Sequence, residues 1–173
     1  MIDVHVLTWS GAREDWLKQC LSSLEGEKCT VHVVQGVEGN IGAGRALGYA
    51  LGSHEFVSFV DCDDYVLPGV MDACLSALDR HRAVATLERR LWGDRFDSSL
   101  GQSHHLVVYR RSDIEPLIGM LGDHPLNSDE LVMRKLNPVQ IPFIGYVWRM
   151  HDKQVHRNCT IEARAKMEAA CRQ

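Results

Sequence analysis

The chain has 173 residues and a formal net charge of −4, with 45% hydrophobic and 24% charged residues. This length suits one domain with a substantial core. No apolar run approaches the ~20 residues of a membrane span, and the net negative charge argues against broad electrostatic binding to nucleic acid. Residues 1–10 lack the basic start of a signal peptide, and the six cysteines show no C-x-x-C spacing. We therefore expect a cytoplasmic protein with reduced thiols.

The first 80 residues alternate between strand and helix patterns. Apolar, β-rich segments predict strands at IDVHVLTW, CTVHVVQG and EFVSFVD. Helical spacing or glycine openings predict helices in REDWLKQCLSSLEG, IGAGRALGYALGS and LPGVMDACLSALDRH. This order predicts an α/β fold with a parallel sheet and right-handed crossovers, and the nearly continuous apolar third strand is typical of a sheet covered on both faces.

The remainder of the chain is less regular. Strands are expected at 82–92, 104–111 and 139–151, and a helix at 127–136. Pro116 is expected to interrupt the helical pattern that precedes residue 122, and a terminal helix is predicted at about 160–172. No segment is long enough to serve as a linker, so we expect a single domain over 1–173.

Three carboxylates directly follow the third predicted strand, in the segment FVSFVDCDDY. Asp61 and Asp63 share a face in extended chain, where two like charges about 6 Å apart repel by roughly 3 kcal/mol at an effective dielectric near 20. A cation, water or backbone amides must offset that repulsion. Ligands of open parallel sheets bind beyond the carboxyl ends of the strands, and Mg²⁺ or Mn²⁺ favours carboxylates and phosphates. The alternative is that Asp61 or Asp64 only caps the following turn.

A second ligand pattern competes with the acidic one. The segment GNIGAGRALG lies between a strand and a helix, as a dinucleotide-binding loop does. Gly42 and Gly44 fit the G-x-G-x-x-G spacing, but Leu47 stands at the third glycine and Gly48 comes one residue late. A nicotinamide- or flavin-binding protein is therefore an alternative, although this loop does not explain three carboxylates.

Four segments follow one another along the chain: VLTWSGAREDWLKQCLSSL, NIGAGRALGYALGSHEFVSFVDCDDYVLPGVMDACLSAL, SDELVMRKL and VWRMH. In this order they resemble glycosyltransferase family 2, the inverting nucleotide-sugar transferases with the GT-A fold, and YRRSDIEPL is similar to a further turn of that family. The resemblance implies a three-layer α/β/α, Rossmann-like domain with a mostly parallel central sheet. It divides the chain into a nucleotide-binding half at about 1–82 and an acceptor half at about 83–156, and this chain is a short member.

The resemblance also implies a donor site. Asp61 would meet the ribose or sugar, Asp63 would bind the Mn²⁺ or Mg²⁺ that bridges the diphosphate, and Asp64 would lie nearby as a further donor-binding residue. Metal ligands implied in this way are Asp61, Asp63 and His151. Arg45 would help to hold the donor, and the first loop would cup the base. The donor-contacting residues implied outside the acidic segment are Thr8, Trp9, Ser10, Gln35 and Arg45.

The general base implied by the resemblance is Asp129, which places Lys135 and Leu136 on the family's arginine and leucine; the other alignment makes Glu130 the base. Both acids also suit the first turn of a helix, where the dipole alone favours them. Gln35 replaces the aspartate that usually binds the nucleotide, which leaves the base preference open. His104 and His105 begin a predicted strand, and we assign them no function from the sequence.

The resemblance thus implies a metal-dependent transferase that moves a sugar from a nucleotide-diphosphate donor, with UDP-sugars favoured, to a hydroxyl acceptor of unknown class. The alternative is a non-catalytic member that binds nucleotide sugars or acts as a scaffold. Because the chain is short, its acceptor site would be minimal, open to a large acceptor, or shared with another chain in a homo-oligomer.

Overall fold

The computed structural model describes residues 1–152, apart from the side chains of residues 102 and 103. The predicted terminal helix at about 160–172 lies outside the described residues. Seven strands and five helices are found within them. In chain order they are β1 (Ile2–Thr8), α1 (Glu14–Leu24), β2 (Cys29–Gln35), α2 (Ile41–Tyr49), β3 (Phe56–Asp61), β4 (Tyr65–Val66), α3 (Val70–Leu78), β5 (Ala83–Trp92), β6 (Arg95–Arg110), α4 (Arg111–Leu121), α5 (Ser128–Leu136) and β7 (Val139–Met150).

The strands form one mixed sheet in the order β2-β1-β3-β6-β5-β7-β4. The pairs β1–β2, β1–β3 and β5–β7 are parallel, whereas β3–β6, β5–β6 and β4–β7 are antiparallel. Within the nucleotide half predicted from the sequence, β1, β2 and β3 are therefore parallel. Two of the antiparallel pairs involve β6 of the long β5–β6 hairpin, and the third joins β4 to β7. No helix within residues 1–152 is long and apolar enough to cross a bilayer.

Helices cover both faces of the sheet, which confirms the predicted three-layer α/β/α arrangement. Cys20 of α1 and Cys74 of α3 pack with Val4 and Val6 of β1 on one face. Tyr49 of α2 packs with Phe59 of β3 on the other face, together with buried residues of α4 and α5. Each inner strand thus buries both sets of alternating side chains, which explains its continuous apolar pattern.

The helix that contains Pro116 is not interrupted. α4 runs without a break from Arg111 to Leu121, so the expected interruption is wrong. Proline removes one backbone donor, and its fixed φ of about −65° is helical. Pro116 lies in the second turn of α4, so its missing N–H removes the one hydrogen bond to the carbonyl of Ser112, and the helix continues on both sides of it.

An irregular pairing distorts the centre of the hairpin. Ala85 pairs with Val107, whereas Leu87 pairs with Gln102, so that Thr86 alone faces residues 103–106 of β6. The extra residues of β6 must bulge out of the regular pleat, which changes the direction of their side chains. This bulge brings His104 and His105 next to each other, with ring centroids 3.8 Å apart, although neighbouring residues of a regular strand point to opposite faces.

Candidate active site

Three parallel strands end side by side at one edge of the sheet. Thr8 of β1 pairs with Gln35 of β2, and Leu7 pairs with Asp61 of β3. Carboxyl ends of strands form the ligand-binding edge of open α/β sheets, so the sequence-predicted donor residues meet where such a site is expected. The candidate site lies along this edge of the sheet.

The first loop offers an aromatic surface at this edge. Trp9 is 42% exposed, and Ser10 and Gln35 are also exposed. Thr8 is buried, and its Oγ1 donates to the carbonyl oxygen of Val34 across 3.2 Å. Trp9, Ser10 and Gln35 are thus accessible to a ligand, whereas Thr8 joins the ends of β1 and β2.

Arg45 of α2 lies beneath the acidic segment, with a side chain that is only 1% exposed. Its Nη2 donates to Oδ1 of Asp61, and its guanidinium carbon lies 3.6 Å from the ring centroid of Phe59. Burial alone would raise the pKa of Asp61, but the charge and hydrogen bond of Arg45, together with the nearby His105 and His104, outweigh burial and keep that pKa below its ordinary value. Asp61 is therefore a carboxylate with a fixed orientation.

Arg45 also reaches α5. Its Nε donates to Oδ1 of Asp129 across 3.2 Å. Burial raises the pKa of Asp129; the charge of Arg45 opposes this rise, and that of Asp61 adds to it. A carboxylate with a raised pKa, 24% exposed, is a suitable proton acceptor. Glu130, the alternative base, is exposed on the same helix turn and is not part of this contact.

A second side-chain contact at this edge of the sheet joins Asp63 to His151. His151 Nε2 lies 2.8 Å from Asp63 Oδ2, and the two side chains are 13% and 14% exposed. The His151 ring packs beside Trp16 at 4.8 Å between centroids. Burial and the charge of Asp61 raise the pKa of Asp63, and His151 opposes that rise. The structure therefore brings two of the three predicted metal ligands into direct contact.

Asp64 differs from its acidic neighbours because it is 1% exposed and both of its oxygens have partners. Tyr146 donates its hydroxyl to Oδ2, and the backbone N–H of Arg149 donates to Oδ1, each at 2.7 Å. Burial, with the charges of Asp63 and Asp61, raises the pKa of Asp64 well above its usual range. This side chain therefore joins the acidic turn to β7.

Arg149 completes the connection between the acidic turn and β7. Its Nη1 donates to the carbonyl oxygen of Asp63, and its Nη2 donates to Oε1 of Gln19 across 2.5 Å. The guanidinium also lies 5.0 Å from the ring centroid of Trp16. Arg149 thus positions the backbone of Asp63, and it lies two residues before His151 along the chain.

Sequence reasoning missed a buried pair on the hairpin. Glu88 of β5 is 0% exposed, and its Oε2 lies 2.8 Å from Nδ1 of His105, which is 7% exposed. The His105 ring stacks on Tyr146 at 5.3 Å. The signal was present as two adjacent histidines at the start of an apolar strand, but the bulge that turns them towards Glu88 is invisible in the residue pattern.

Two groups of side chains within residues 1–152 could each surround a metal ion. Asp61, Asp64 and His105 each offer a ligand atom within 4.8 Å of the other two, and so do Glu88, His104 and His105. The first group adjoins the pair of Asp63 and His151. Carboxylate oxygens are the ligands that Mg²⁺ and Mn²⁺ prefer, and an imidazole can join them, so the donor set at this edge fits a divalent ion.

The glycines of the second ligand pattern are explained by packing. A Cβ on Gly42 would come within 2.0 Å of the carbonyl oxygen of Leu121, and one on Gly48 within 2.3 Å of the His5 ring. Asn40 caps α2 by accepting a hydrogen bond from the backbone N–H of Ala43 at 2.8 Å. These glycines permit α2 to lie close to β1 and to the end of α4, and this accounts for their spacing without a dinucleotide.

Solved structures of S. aureus TarS, a glycosyltransferase, have a similar fold. The complex of TarS 1–349 with UDP-GlcNAc matches with a TM-score of 0.71 and 16% identity, over 92% of this chain and 61% of that chain. The UDP complex matches with a TM-score of 0.67 and 16% identity, over 87% and 61%. A longer TarS structure gives a TM-score of 0.62 and 16% identity, over 88% and 37%.

The chain thus spans about three fifths of the length of the TarS 1–349 structures that it matches. No protein-family model and no curated protein matches the sequence. At 16% identity, the likeness shows the architecture alone. The chain has the fold of a glycosyltransferase, with its acidic residues at the carboxyl edge of the parallel strands.

Proposed function

We propose that the protein is a metal-dependent inverting glycosyltransferase of family 2 that takes its sugar from a nucleotide diphosphate. The observation that carries this proposal is that buried Arg45 joins Asp61 at the end of β3 to Asp129 at the start of α5. One carboxylate at the ligand-binding edge and one proton acceptor are thereby held at a fixed separation. The fold of TarS, which has been solved with UDP-GlcNAc and with UDP, supports the same donor class.

The donor would lie across the edge formed by β1, β2 and β3. The exposed ring of Trp9 offers a stacking surface for a base, and the exposed amide of Gln35 offers hydrogen bonds to a uracil or ribose. Ser10 would contribute from the same loop, and Thr8 would fix the loop's starting point. Asp61 would accept a hydrogen bond from a hydroxyl of the ribose or sugar. A UDP-sugar is the donor that we favour.

Asp63 and His151, together with Asp61, would hold Mn²⁺ or Mg²⁺. Such an ion supplies electrostatic stabilisation for the negative charge that develops on a departing diphosphate. The protein's own part is to keep the ligands in place: Asp64 binds the backbone N–H of Arg149 and the hydroxyl of Tyr146, and Arg149 binds the carbonyl of Asp63. Asp64 would therefore position the acidic turn against β7, and contact with the donor would come from Asp61.

Asp129 would accept the proton of the acceptor hydroxyl. The acceptor oxygen then forms a bond to the anomeric carbon, while the bond from that carbon to the diphosphate breaks and its electron pair leaves with the diphosphate. One displacement inverts the anomeric centre, and a base of this kind contributes about 10²–10⁴-fold in rate. Glu130 is exposed and outside the contact with Arg45, which favours Asp129 as the base.

Titration calorimetry of the tag-free chain with UDP and with a panel of nucleotide sugars tests the donor assignment. We expect binding in the presence of Mn²⁺ and much weaker binding after chelation. Asp63→Asn should lose the metal-dependent part, whereas Asp72→Asn, an exposed acid on α3, should retain it. Binding that is equal with and without metal, or that Asp63→Asn leaves unchanged, would contradict metal dependence.

A further inference from the structure

A second cluster of metal-ligand side chains lies on the hairpin, apart from the pair of Asp63 and His151. Glu88 of β5 and His104 and His105 of β6 each bring a carboxylate oxygen or ring nitrogen within 4.8 Å of the other two. None of them was assigned a role by the sequence. We propose that Glu88, His104 and His105 bind a divalent transition-metal ion of the Zn²⁺ type.

The chemistry of the three ligands favours such an ion over Mg²⁺ or Ca²⁺. Two imidazoles and one carboxylate form a nitrogen-rich set that suits Zn²⁺, Fe²⁺ or Ni²⁺, whereas Mg²⁺ and Ca²⁺ prefer oxygen alone. Three protein ligands with a remaining open position are typical of zinc sites that bind a further molecule. The cluster therefore differs in kind from the carboxylate-rich edge of β3.

The separations are compatible with a shared ion. Glu88 Oε2 and His105 Nδ1 are 2.8 Å apart. Two ligands bonded at about 2.1 Å in a tetrahedral site lie about 3.4 Å apart, so this pair must separate by roughly 0.6 Å to bind one cation. His104 has its ring centroid 3.8 Å from that of His105 and is the exposed member of the three. An ion could therefore enter from the His104 side.

The surroundings hold the ligands in orientation. A Cβ on Gly101 would lie 3.2 Å from Cγ and Oε1 of Glu88, so the absence of a side chain there leaves room for the carboxylate. The ring of Trp148 packs against His105 at 4.6 Å and against His104 at 5.4 Å. Ligands whose side chains are packed before the metal arrives lose little freedom on binding, which favours affinity.

The bulge in β6 supplies a second, independent reason to consider these residues together. Residues 103–106 face Thr86 alone. The regular strand pairing is therefore interrupted at the place where both histidines turn towards Glu88. Such irregularities often re-aim a side chain beside a functional site. His105 also offers a ligand atom within 4.8 Å of Asp61 and Asp64. The proposed ion would therefore lie in the wall of the candidate active site.

Cobalt titration of the tag-free chain tests the site, because Co²⁺ bound by imidazole and carboxylate absorbs visible light. We expect one tight Co²⁺ that Zn²⁺ displaces. His104→Gln should weaken binding by roughly 10-fold or more, since the loss of a second-shell partner alone costs 10–100-fold. Glu88→Gln, which is nearly the same size, should do the same. The exposed position of His104 makes its variant the one least affected by misfolding.

Two controls separate this cluster from other ligands. His81→Gln changes a histidine before the start of β5, and Asp63→Asn changes the separate acidic pair; both should keep the Co²⁺ spectrum and its affinity. Circular dichroism and thermal unfolding of each variant check the fold. Unchanged Co²⁺ affinity in folded His104→Gln would overturn the proposal, and so would loss of the spectrum in Asp63→Asn with retention in His104→Gln.

Discussion

Nε of Arg45 in α2 donates a hydrogen bond of 3.2 Å to Oδ1 of Asp129 in α5, 84 residues further along the chain. The same guanidinium donates to Asp61 at the end of β3. Arg45 is 1% exposed, so it acts from below the ligand-binding edge and fixes the relative position of the two carboxylates. The separation between the proposed donor contact, Asp61, and the proposed base, Asp129, is thus set by one buried side chain.

Replacing the proposed base should remove turnover without removing donor binding. For Asp129→Asn we expect the release of UDP from a UDP-sugar to fall by about 10²–10⁴-fold. Glu130→Gln is the matched control on the same helix turn and should retain most of the activity, because Glu130 lies outside the contact with Arg45. A coupled assay for released UDP measures both variants.

The opposite pattern, with Glu130→Gln inactive and Asp129→Asn active, would assign the base to Glu130. Donor binding with metal but no turnover in the unaltered chain, with any of a broad set of acceptors, would favour a non-catalytic nucleotide-sugar-binding protein. NADH binding that a chelator leaves unchanged would instead favour the dinucleotide alternative.

The pH dependence of turnover should report on Arg45. Asp129 must be ionised to accept a proton, and burial raises its pKa, so activity should rise with pH through a pKa above the ordinary ~3.9 of aspartate. Arg45→Met removes the positive charge that opposes this rise in pKa. The acid limb, which is the part of the pH profile where activity rises with pH, should therefore move to higher pH. Arg45→Lys keeps a charge and should move it less. An acid limb at the same pH in folded Arg45→Met would contradict the role of Arg45.

The Asp64–Tyr146 contact should contribute to stability. Tyr146→Phe leaves a buried carboxylate oxygen without its donor, which costs about 1–3 kcal/mol in the free energy of unfolding. Combined with Asp64→Asn in a double-mutant cycle, the pair should show a coupling of roughly 0.5–3 kcal/mol. Urea unfolding followed by circular dichroism measures each variant.

Tyr49→Phe is the matched control for Tyr146. Tyr49 is also buried, but its hydroxyl finds no hydrogen-bond partner among the described residues. Removal of that hydroxyl should leave the free energy of unfolding nearly unchanged. A loss for Tyr49→Phe equal to that for Tyr146→Phe would show that the measured cost comes from the lost volume.

The opposite end of β1 should control stability in acid. Asp3 is buried and binds His32 across 2.9 Å, the backbone N–H of His54 across 2.7 Å and Arg111 across 2.6 Å. Burial by itself would raise the pKa of Asp3, but these partners outweigh it and lower that pKa. The resulting stability is present above the ordinary pKa of ~3.9 and is lost as pH falls through the lowered value.

Asp3→Asn should remove this dependence and lower the free energy of unfolding at neutral pH by about 3 kcal/mol, since one side of a buried ion pair is lost. Asp72→Asn is the control, because its contact with Lys28 involves side chains that are 60% and 58% exposed. Denaturant titrations between pH 3 and 7 measure both variants. An Asp3→Asn curve that still parallels the unaltered chain in acid would contradict this assignment.

The sequence pattern predicted the α/β order and the acidic edge because both depend on local signals. Alternating apolar segments and the position of Asp61 and Asp63 after a strand are visible along the chain. The contact between Arg45 and Asp129 spans distant segments, so residue matching identified both residues but not their connection. The burial of Asp64 depends on Tyr146 and Arg149 of β7, and the pair of Glu88 and His105 depends on a bulge that no local pattern reveals.

A crystal structure of the chain with Mn²⁺ and a UDP-sugar would locate the ion and the donor in one experiment. We expect an anomalous Mn²⁺ peak in contact with Asp63 Oδ2 and His151 Nε2, with the donor diphosphate beside the ion. The nucleotide should extend towards Trp9 and Gln35. A nucleotide bound elsewhere, or a fully occupied donor with no Mn²⁺ beside Asp63, would contradict it.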